Sequence, residues 1–342
     1  MALTLEDVGR KCGVSRSTVS RVVNDSPLVN NATKERVRKA IKELNYAPNL
    51  IARSLTKNRT DTLAITLPDI TGGVFPEILA GMDEVASGRG YHLLVVFLGG
   101  ARAKSSDVVE QLFSQRRADA IVTVASTVED AELVRMAKEN LPIVCAAHKS
   151  PAPNIPSVLF DNVGGAALAT QLLLAHDRRR IVHIRGPKDN YDAGERARGF
   201  HDGLRKAGLT PDPQLEVEGD FKREGGIAGI RQILERGTDF DAVFAGNDEM
   251  AIGAIEELKR QGKSVPREIP VVGFDDIESA RFVGLTTVRV PMRELGRVAA
   301  RLAFDLIDGT PPGKIHVLPT EIIERASTVT GVKAKTLRLD GV

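Results

Sequence analysis

Residues 4–24, TLEDVGRKCGVSRSTVSRVVN, read as two short helices joined by a tight turn. In the first, Leu5, Val8 and Cys12 fall on one stripe, Thr4 and Asp7 have the spacing of a reciprocal cap, and Gly13 supplies the residue that a sharp helix exit needs. The second helix is expected to start at Ser15. Val19, Val22 and Val23 form its inner side, which leaves Ser17, Ser20, Arg21 and Asn24 at helical spacing on the opposite side, with Arg16 beside them. Hydroxyls, amides and guanidinium groups can read base edges or phosphates, and arginine can hold guanine through two parallel hydrogen bonds in the major groove. A solvated amphipathic helix would show the same polar face, so the pattern alone supports groove reading and plain solvation about equally. The neighbouring sequence favours the first. A third helix, from about Thr33 to Asn45, sets Val37, Ala40, Ile41 and Leu44 on one face behind a capping Asn30, so three small helices can share one core.

Charge divides the chain in the same place. Residues 1–60 hold twelve Lys and Arg against five Asp and Glu, whereas the remainder holds 35 against 40, so the overall net charge of +2 conceals a basic head on a mildly acidic body. That asymmetry is expected where one part meets phosphates and the other does not. At 342 residues, with 42% hydrophobic and 27% charged residues, the chain is long enough for two or three ordinary globular domains. Cys12 and Cys145 lie far apart on apparent core faces, which argues for reduced core thiols and against a disulfide framework or a metal site. The first residues include Glu6 and Asp7 and lack the apolar run of a signal peptide, and no later segment reaches about 18 uninterrupted apolar residues. A cytoplasmic protein without membrane association is expected.

Between head and body runs YAPNLIARSLTKNRT, residues 46–60, in which Pro48 suits the first turn of a helix and residues 50–57 have room for two turns. So short a helix is marginal alone and needs a partner. Arg53, Lys57 and Arg59 offer phosphate contacts, and Leu55 is the kind of apolar side chain that wedges between base steps from the minor groove. A tether whose leucine packs on the body is the equal alternative.

From Thr62 onward, apolar runs of strand length alternate with helical patterns: LAITLP, HLLVVFL, AIVTVA, IVCAA, SVLF, IVHIRG, AVFAG and PVVGF, with helices between most of them. This alternation implies parallel sheets flanked by helices. Ten or so strands exceed one Rossmann-like unit, so two such subdomains with a cleft between them are expected. Ligands of open parallel sheets sit beyond the carboxyl ends of the strands. Asp69, Ser126, His148, Asp161, Asn247 and Asp275 each follow a strand, and Arg196 opens the helix after IVHIRG. Such acceptors with a rigid donor fork suit vicinal hydroxyls of a small polar molecule, although Asn247 or Asp248 could equally be a helix cap.

Catalysis finds no comparable support. No Walker-type loop or strand-following GxGxxG occurs, His and Cys show no metal spacing, and Asp275 and Asp276, as neighbours at a strand end, should point apart. No catalytic residue, metal or cofactor is expected. The rival readings are a solute-binding protein or an enzyme with an incidental basic head, which lacks an export signal and a catalytic constellation, and a ligand-free architectural DNA binder, which the polar strand ends disfavour.

The stretch TLEDVGRKCGVSRSTVSRVVN, followed by NATKERVRKAIKELNYAPN and IARSL, closely resembles transcription regulators of the LacI/GalR family. The likeness continues through GPKDNYDAGERARGF, FAGNDEMAIGAI, VVGFDD, LTTVRVPMRELG and LPTEIIERAST, and so covers residues 3–331. It implies a homodimeric, ligand-responsive repressor: an all-α helix-turn-helix headpiece (1–46), a hinge helix (47–60) and an α/β periplasmic-binding-protein-like core (61–331), with a tail at 332–342. The core would comprise two parallel-sheet subdomains, 61–160 with 291–320 and 161–290 with 321–331, crossing near Asp161, Pro291 and Glu321. Carried over by position, Thr4, Leu5, Ser15, Arg16, Ser17, Thr18, Ser20, Arg21, Asn24, Asn30 and Thr33 would contact double-stranded operator DNA, as would Asn49, Ala52 and Leu55 in the hinge. Phe75, Phe160, Arg196, Phe221, Asn247 and Asp275 match effector-contacting positions, and Met292 stands near a crossing. The effector implied is a sugar or sugar derivative. Two departures matter. Where the family often has an acid after the fourth core strand, this chain reads Ala146-Ala147-His148-Lys149, which leaves an anionic ligand or a missing contact. Tryptophan is absent, which leaves Phe75, Phe160, Tyr191 and Phe221 as stacking platforms.

Overall fold

Thr4 opens the first helix as its sequence requires. In the computed structural model its side chain accepts from the Asp7 N–H while Asp7 accepts from the Thr4 N–H at 2.9 Å, and α1 (Leu5–Cys12) then ends on Gly13 at φ +67°, a left-handed exit that glycine adopts without a Cβ clash. The described residues are 3–23, 26–46, 59–68, 73–98, 105–125, 127–311, 315–329 and 335–337. Asn24, Asn49, Ala52 and Leu55, the expected hinge helix, Asp69 and Ser126 lie outside them. The chain divides between Asp61 and Thr62 into two compact units.

The first unit is the three-helix head. α2 (Arg16–Val23) follows Ser15, whose Oγ accepts from the Thr18 N–H at 3.2 Å, and α3 (Asn31–Glu43) follows Asn30, whose side chain accepts from the Thr33 N–H at 2.9 Å. The third helix therefore starts two residues before Thr33, because the residue after its cap already has helical backbone. Val8, Val19, Val22, Val37, Ala40 and Tyr46 form its buried core, with Ile41 and Leu44 half-buried against them.

The second unit holds two sheets. The first takes β1 (Thr62–Leu67), β2 (His92–Phe97), β3 (Ala120–Val124), β4 (Ile143–Ala146), β5 (Ser157–Phe160) and β11 (Ile315–Leu318) in the order β11-β5-β4-β3-β1-β2, all parallel. The second takes β6 (Ile181–Arg185), β7 (Glu216–Glu218), β8 (Ala242–Ala245), β9 (Val271–Asp275), β10 (Thr286–Arg289), β12 (Glu321–Glu324) and β13 (Lys335–Leu337) in the order β13-β12-β10-β9-β8-β6-β7. Its strands are parallel from β10 to β7, but β12 and β13 pair antiparallel at one edge, a departure from the expected all-parallel sheets. The stretch read as a tail thus contributes a three-residue strand. β1, β3, β4 and β9 are buried along most of their length, as strands covered by helices on both faces must be.

The helices follow the same alternation: α4 (Phe75–Gly88), α5 (Ser105–Ser114), α6 (Asp130–Lys138), α7 (Asn162–Ala175), α8 (Tyr191–Lys206), α9 (Arg223–Glu235), α10 (Asp248–Arg260), α11 (Glu278–Phe282) and α12 (Met292–Ile307). The chain leaves the first sheet after Phe160, returns to it after Arg289 through α12, and leaves again between Leu318 and Glu321. One buried cluster containing Phe160, Phe274, Val288 and Leu295 draws on elements of both sheets. Cys12 and Cys145 are free thiols, and burial pushes the Cys145 thiol up to about 11, so it stays protonated and inert. Among the described residues no helix is long and apolar enough to cross a membrane.

Candidate functional site

Two surfaces follow from this architecture. On the head, α2 buries Val19 and Val22 and turns Arg16, Ser17 and Arg21 to solvent, with Thr18 and Ser20 half-buried between. Ser15 Oγ lies 2.8 Å from Ser17 Oγ and 2.9 Å from Thr18 Oγ1, so three hydroxyls gather at the helix start. Arg16 Nη1 lies 3.6 Å from Glu6 Oε1, which brings the beginning of α1 beside that of α2. Both groups are largely exposed, so the pair is weak and its guanidinium is free to exchange partners. Thr4, Asn30 and Thr33 serve as caps or capped positions, and Leu5 leans on the head core, half-buried. The face is compact, hydroxyl-rich and edged by arginines, a chemistry suited to phosphates and base edges.

The second surface is a cleft of about 930 Å³ in the core unit, lined from the strand ends of both sheets. Phe75 opens α4 after β1, Phe160 ends β5, Asn247 follows β8, and Asp275 ends β9; Arg196 reaches in from α8 and Phe221 from the loop before α9. Six of the seven sequence-proposed ligand residues thus line one cavity. Tyr191 is not among the lining residues: its ring stands edge-on to His148, with centroids 6.0 Å apart. His148 also differs from a free strand-end group, because its Nε2 lies 2.8 Å from Asp130 Oδ1 and the side chain is buried.

Arg196 organises the floor. It is buried, donates from Nε to Asn162 Oδ1 at 2.9 Å and from Nη1 to the Gly246 carbonyl, and stacks 3.9 Å from the Phe274 ring centroid. Its Nη2 comes within 3.1 Å of Asp275 Oδ1, an ion-pair approach whose alignment falls short of a hydrogen bond. The carboxylate oxygen is therefore buried and paired in charge with Arg196, in a side chain that lines the cleft. Burial is the main reason that Asp275 is pushed up to about 6; Arg196 opposes the rise, and nearby Asp192 adds to it. Asn247 caps α10 by accepting from the Met250 N–H at 3.0 Å, and its amide donates to the Phe221 carbonyl at 2.9 Å. The cap reading and the cleft position are both true of it. Asp248, by contrast, is wholly buried and accepts from the Ile277 N–H and Thr287 Oγ1, a structural post under β9 and β10.

One floor residue escaped the sequence reading. Asp192 is buried in the cleft wall, accepts from Asn162 Nδ2 at 2.8 Å, and is raised above the ordinary carboxylate range chiefly by burial. Its spacing four residues before Arg196 puts the two on one face of α8, a signal present in the sequence. Gly186 is similarly informative: a Cβ there would lie 2.2 Å from the Phe221 ring, so the loop after β6 holds that ring against the floor.

A three-helix, DNA-compatible head followed by two linked α/β lobes with a polar-floored cleft defines the class of ligand-responsive DNA-binding regulators. Residues 4–49 match the description "Bacterial regulatory proteins, lacI family", and residues 170–328 match a periplasmic binding protein-like domain. The chain is 34% identical to the HTH-type transcriptional regulator RegA of Clostridium saccharobutylicum over 333 residues, covering 96% of this chain and all of RegA. Among solved structures it is similar to a lac repressor dimer bound to operator and an anti-inducer (28% identity, TM-score 0.87, 96% of this chain and 100% of that one). It is also similar to the regulator CelR in complex with cellobiose (33% identity, TM-score 0.73, 95% and 99%). The protein belongs to the LacI family of bacterial transcription regulators.

Proposed function

We propose that this regulator is a cytoplasmic homodimer that reads a palindromic operator through residues 1–46 and responds to a sugar or sugar derivative held in the core cleft. On this reading Arg16, Ser17, Ser20 and Arg21 contact bases or phosphates, and residues 47–60, with Leu55 inserted at the operator centre, form the ligand-sensitive connection. The cleft residues take separate parts: Arg196, Asn247 and Asp275 bind hydroxyls, while Phe75, Phe160 and Phe221 supply apolar faces for a pyranose ring.

The observation that carries this reading is the convergence of Asp275, Arg196 and Asn247 on one cleft at the strand ends, a donor-and-acceptor set matched to vicinal hydroxyls. The similar lac repressor and CelR structures, one named for its operator and one for cellobiose, support a DNA-reading regulator with a sugar as ligand. A ligand alters DNA binding only if it prefers one of two states of the core, and a typical coupling is about 1–3 kcal/mol. The test is a thermal-shift panel of neutral sugars, sugar acids and nucleobases on the full chain; a sugar at about a hundredfold its Kd adds about 2.7 kcal/mol of stability. That sugar should then change binding to a duplex selected from random sequence. Failure of every sugar to shift the melt, or indifference of the selected duplex to a sugar that does, overturns the proposal.

A further inference from the structure

Ligand contacts do not account for Asp276. Its side chain is 1% exposed and turns away from the cleft into a cluster of arginines: Arg325 Nη2 at 2.6 Å, Arg289 Nε at 2.7 Å and, more distantly, Arg281 Nη2 at 3.5 Å. Asp275 and Asp276 are consecutive residues with φ of +119° and +60°, a backbone that side chains with a Cβ rarely adopt and that persists only where the surroundings fix it. The chain thereby sends one carboxylate into the cleft and the next into the arginines.

The arginines stand where the chain changes sheets. Arg289 is the last residue of β10, just before the return to the first sheet at Val290 and Pro291. Its other arm donates to Glu321 Oε1 at 3.0 Å, and Glu321 is the first residue of β12, reached directly from β11 of the first sheet. Arg325 follows the end of β12 and also donates to the Leu285 carbonyl before β10. One buried carboxylate therefore joins the cleft residue Asp275 to both second-sheet strands that receive or launch these crossings.

We propose that Asp276 is a positioning residue that fastens Asp275 and the ends of β10 and β12 into one rigid block, so that the two lobes of the core hold a defined separation and a load on Asp275 is delivered to the crossing strands. This rests on the geometry of the core and is independent of which ligand the cleft takes.

The experiment uses the full chain without added ligand. Nitroxides are placed at Lys138→Cys on α6 and Lys206→Cys on α8, both exposed, in a Cys12→Ser background, and labelled chains are diluted into unlabelled ones so that only distances within a chain are read. Pulsed electron resonance then compares the parent with Asp276→Asn, Arg289→Gln and Arg289→Lys. Asp276→Asn and Arg289→Gln should broaden the distance distribution and shift its mean, whereas Arg289→Lys, which keeps the charge, should stay near the parent. A purely local structural role would lower the melting temperature and leave the distribution unmoved. A folded Asp276→Asn or Arg289→Gln protein with the parent distribution overturns the proposal; should Asp276→Asn fail to fold, the half-exposed Arg289→Gln decides alone.

Discussion

Replacing Asp275 with asparagine should make the protein more stable while removing the proposed ligand contact, and the two effects separate by pH. The Asp275 carboxyl is displaced by burial from an ordinary value of 3.8 to about 6. Because the folded value lies above the unfolded one, the native state retains a proton that the unfolded chain has released between about pH 4 and 6. Stability therefore falls as pH rises through that window, and the full deficit is present above it. A displacement of that size corresponds to about 3 kcal/mol, an upper figure for the variant because an amide beside Arg196 is a poorer partner than a protonated acid. Asp275→Asn should lie level with or up to about 2 kcal/mol below the parent near pH 4 and exceed it by about 1–3 kcal/mol near pH 8. Urea unfolding followed by circular dichroism across that range measures it directly. If the parent were the more stable protein near pH 8, or if the two stabilities ran parallel with pH, the burial of an imperfectly solvated carboxylate at this position would be refuted.

Arg21→Ala should weaken binding to a selected duplex by about 1–3 kcal/mol at matched salt, the usual discrimination of a two-pronged base contact, and an unchanged affinity would remove Arg21 from the interface. Thr4→Ala deletes the acceptor of the α1 cap and should lower head stability by about 1 kcal/mol, seen as an earlier far-ultraviolet transition; an unshifted head transition would show that the cap is dispensable. Gly186→Ala puts a methyl 2.2 Å from the Phe221 ring, so overpacking of about 1–3 kcal/mol should appear either as lost stability or as a displaced ring with weakened sugar binding by calorimetry. Wild-type behaviour in both would mean that the loop yields freely. Sugar affinity itself should rise with pH through about 6 and then level, because hydroxyl donors favour the ionised form of Asp275; a flat profile would argue against hydroxyls donating to it.

The parts of the fold legible in the sequence were those written in local period. Leu5 and Val8, Val19 and Val22, and Val37 and Ala40 each keep helical spacing within their own helix, and the structure packs them into one cluster; runs such as IVCAA and AVFAG are too short and apolar for anything but covered strands. What went unread was short or dictated by distant partners. β7 has three residues, and β11 alternates exposed and half-buried positions without a strong apolar signal. β12 and β13 take their antiparallel direction from the chain's final return to the second sheet, which no window of a few residues records.

The site was legible to the same limit. Strand-end polarity led to Asn247 and Asp275, each decided by its place relative to one strand, whereas Phe75, Phe160 and Phe221 came only from the family resemblance. Tyr191 went elsewhere because its orientation depends on His148, 43 positions away in sequence, which is itself fixed by Asp130. The pair Asp275 and Asp276 shows why such dependence matters for a regulator. Adjacent identical residues receive different environments: one lines the cleft with its buried oxygen facing a single arginine, and the other is buried with its charge met by three. A buried carboxylate with few partners costs stability, whereas removing one partner from a well-paired buried ion is strongly destabilising. Placing them side by side sets a cleft carboxylate met by one arginine next to a carboxylate met by three at the crossings, and the role proposed for Asp276 rests on that juxtaposition.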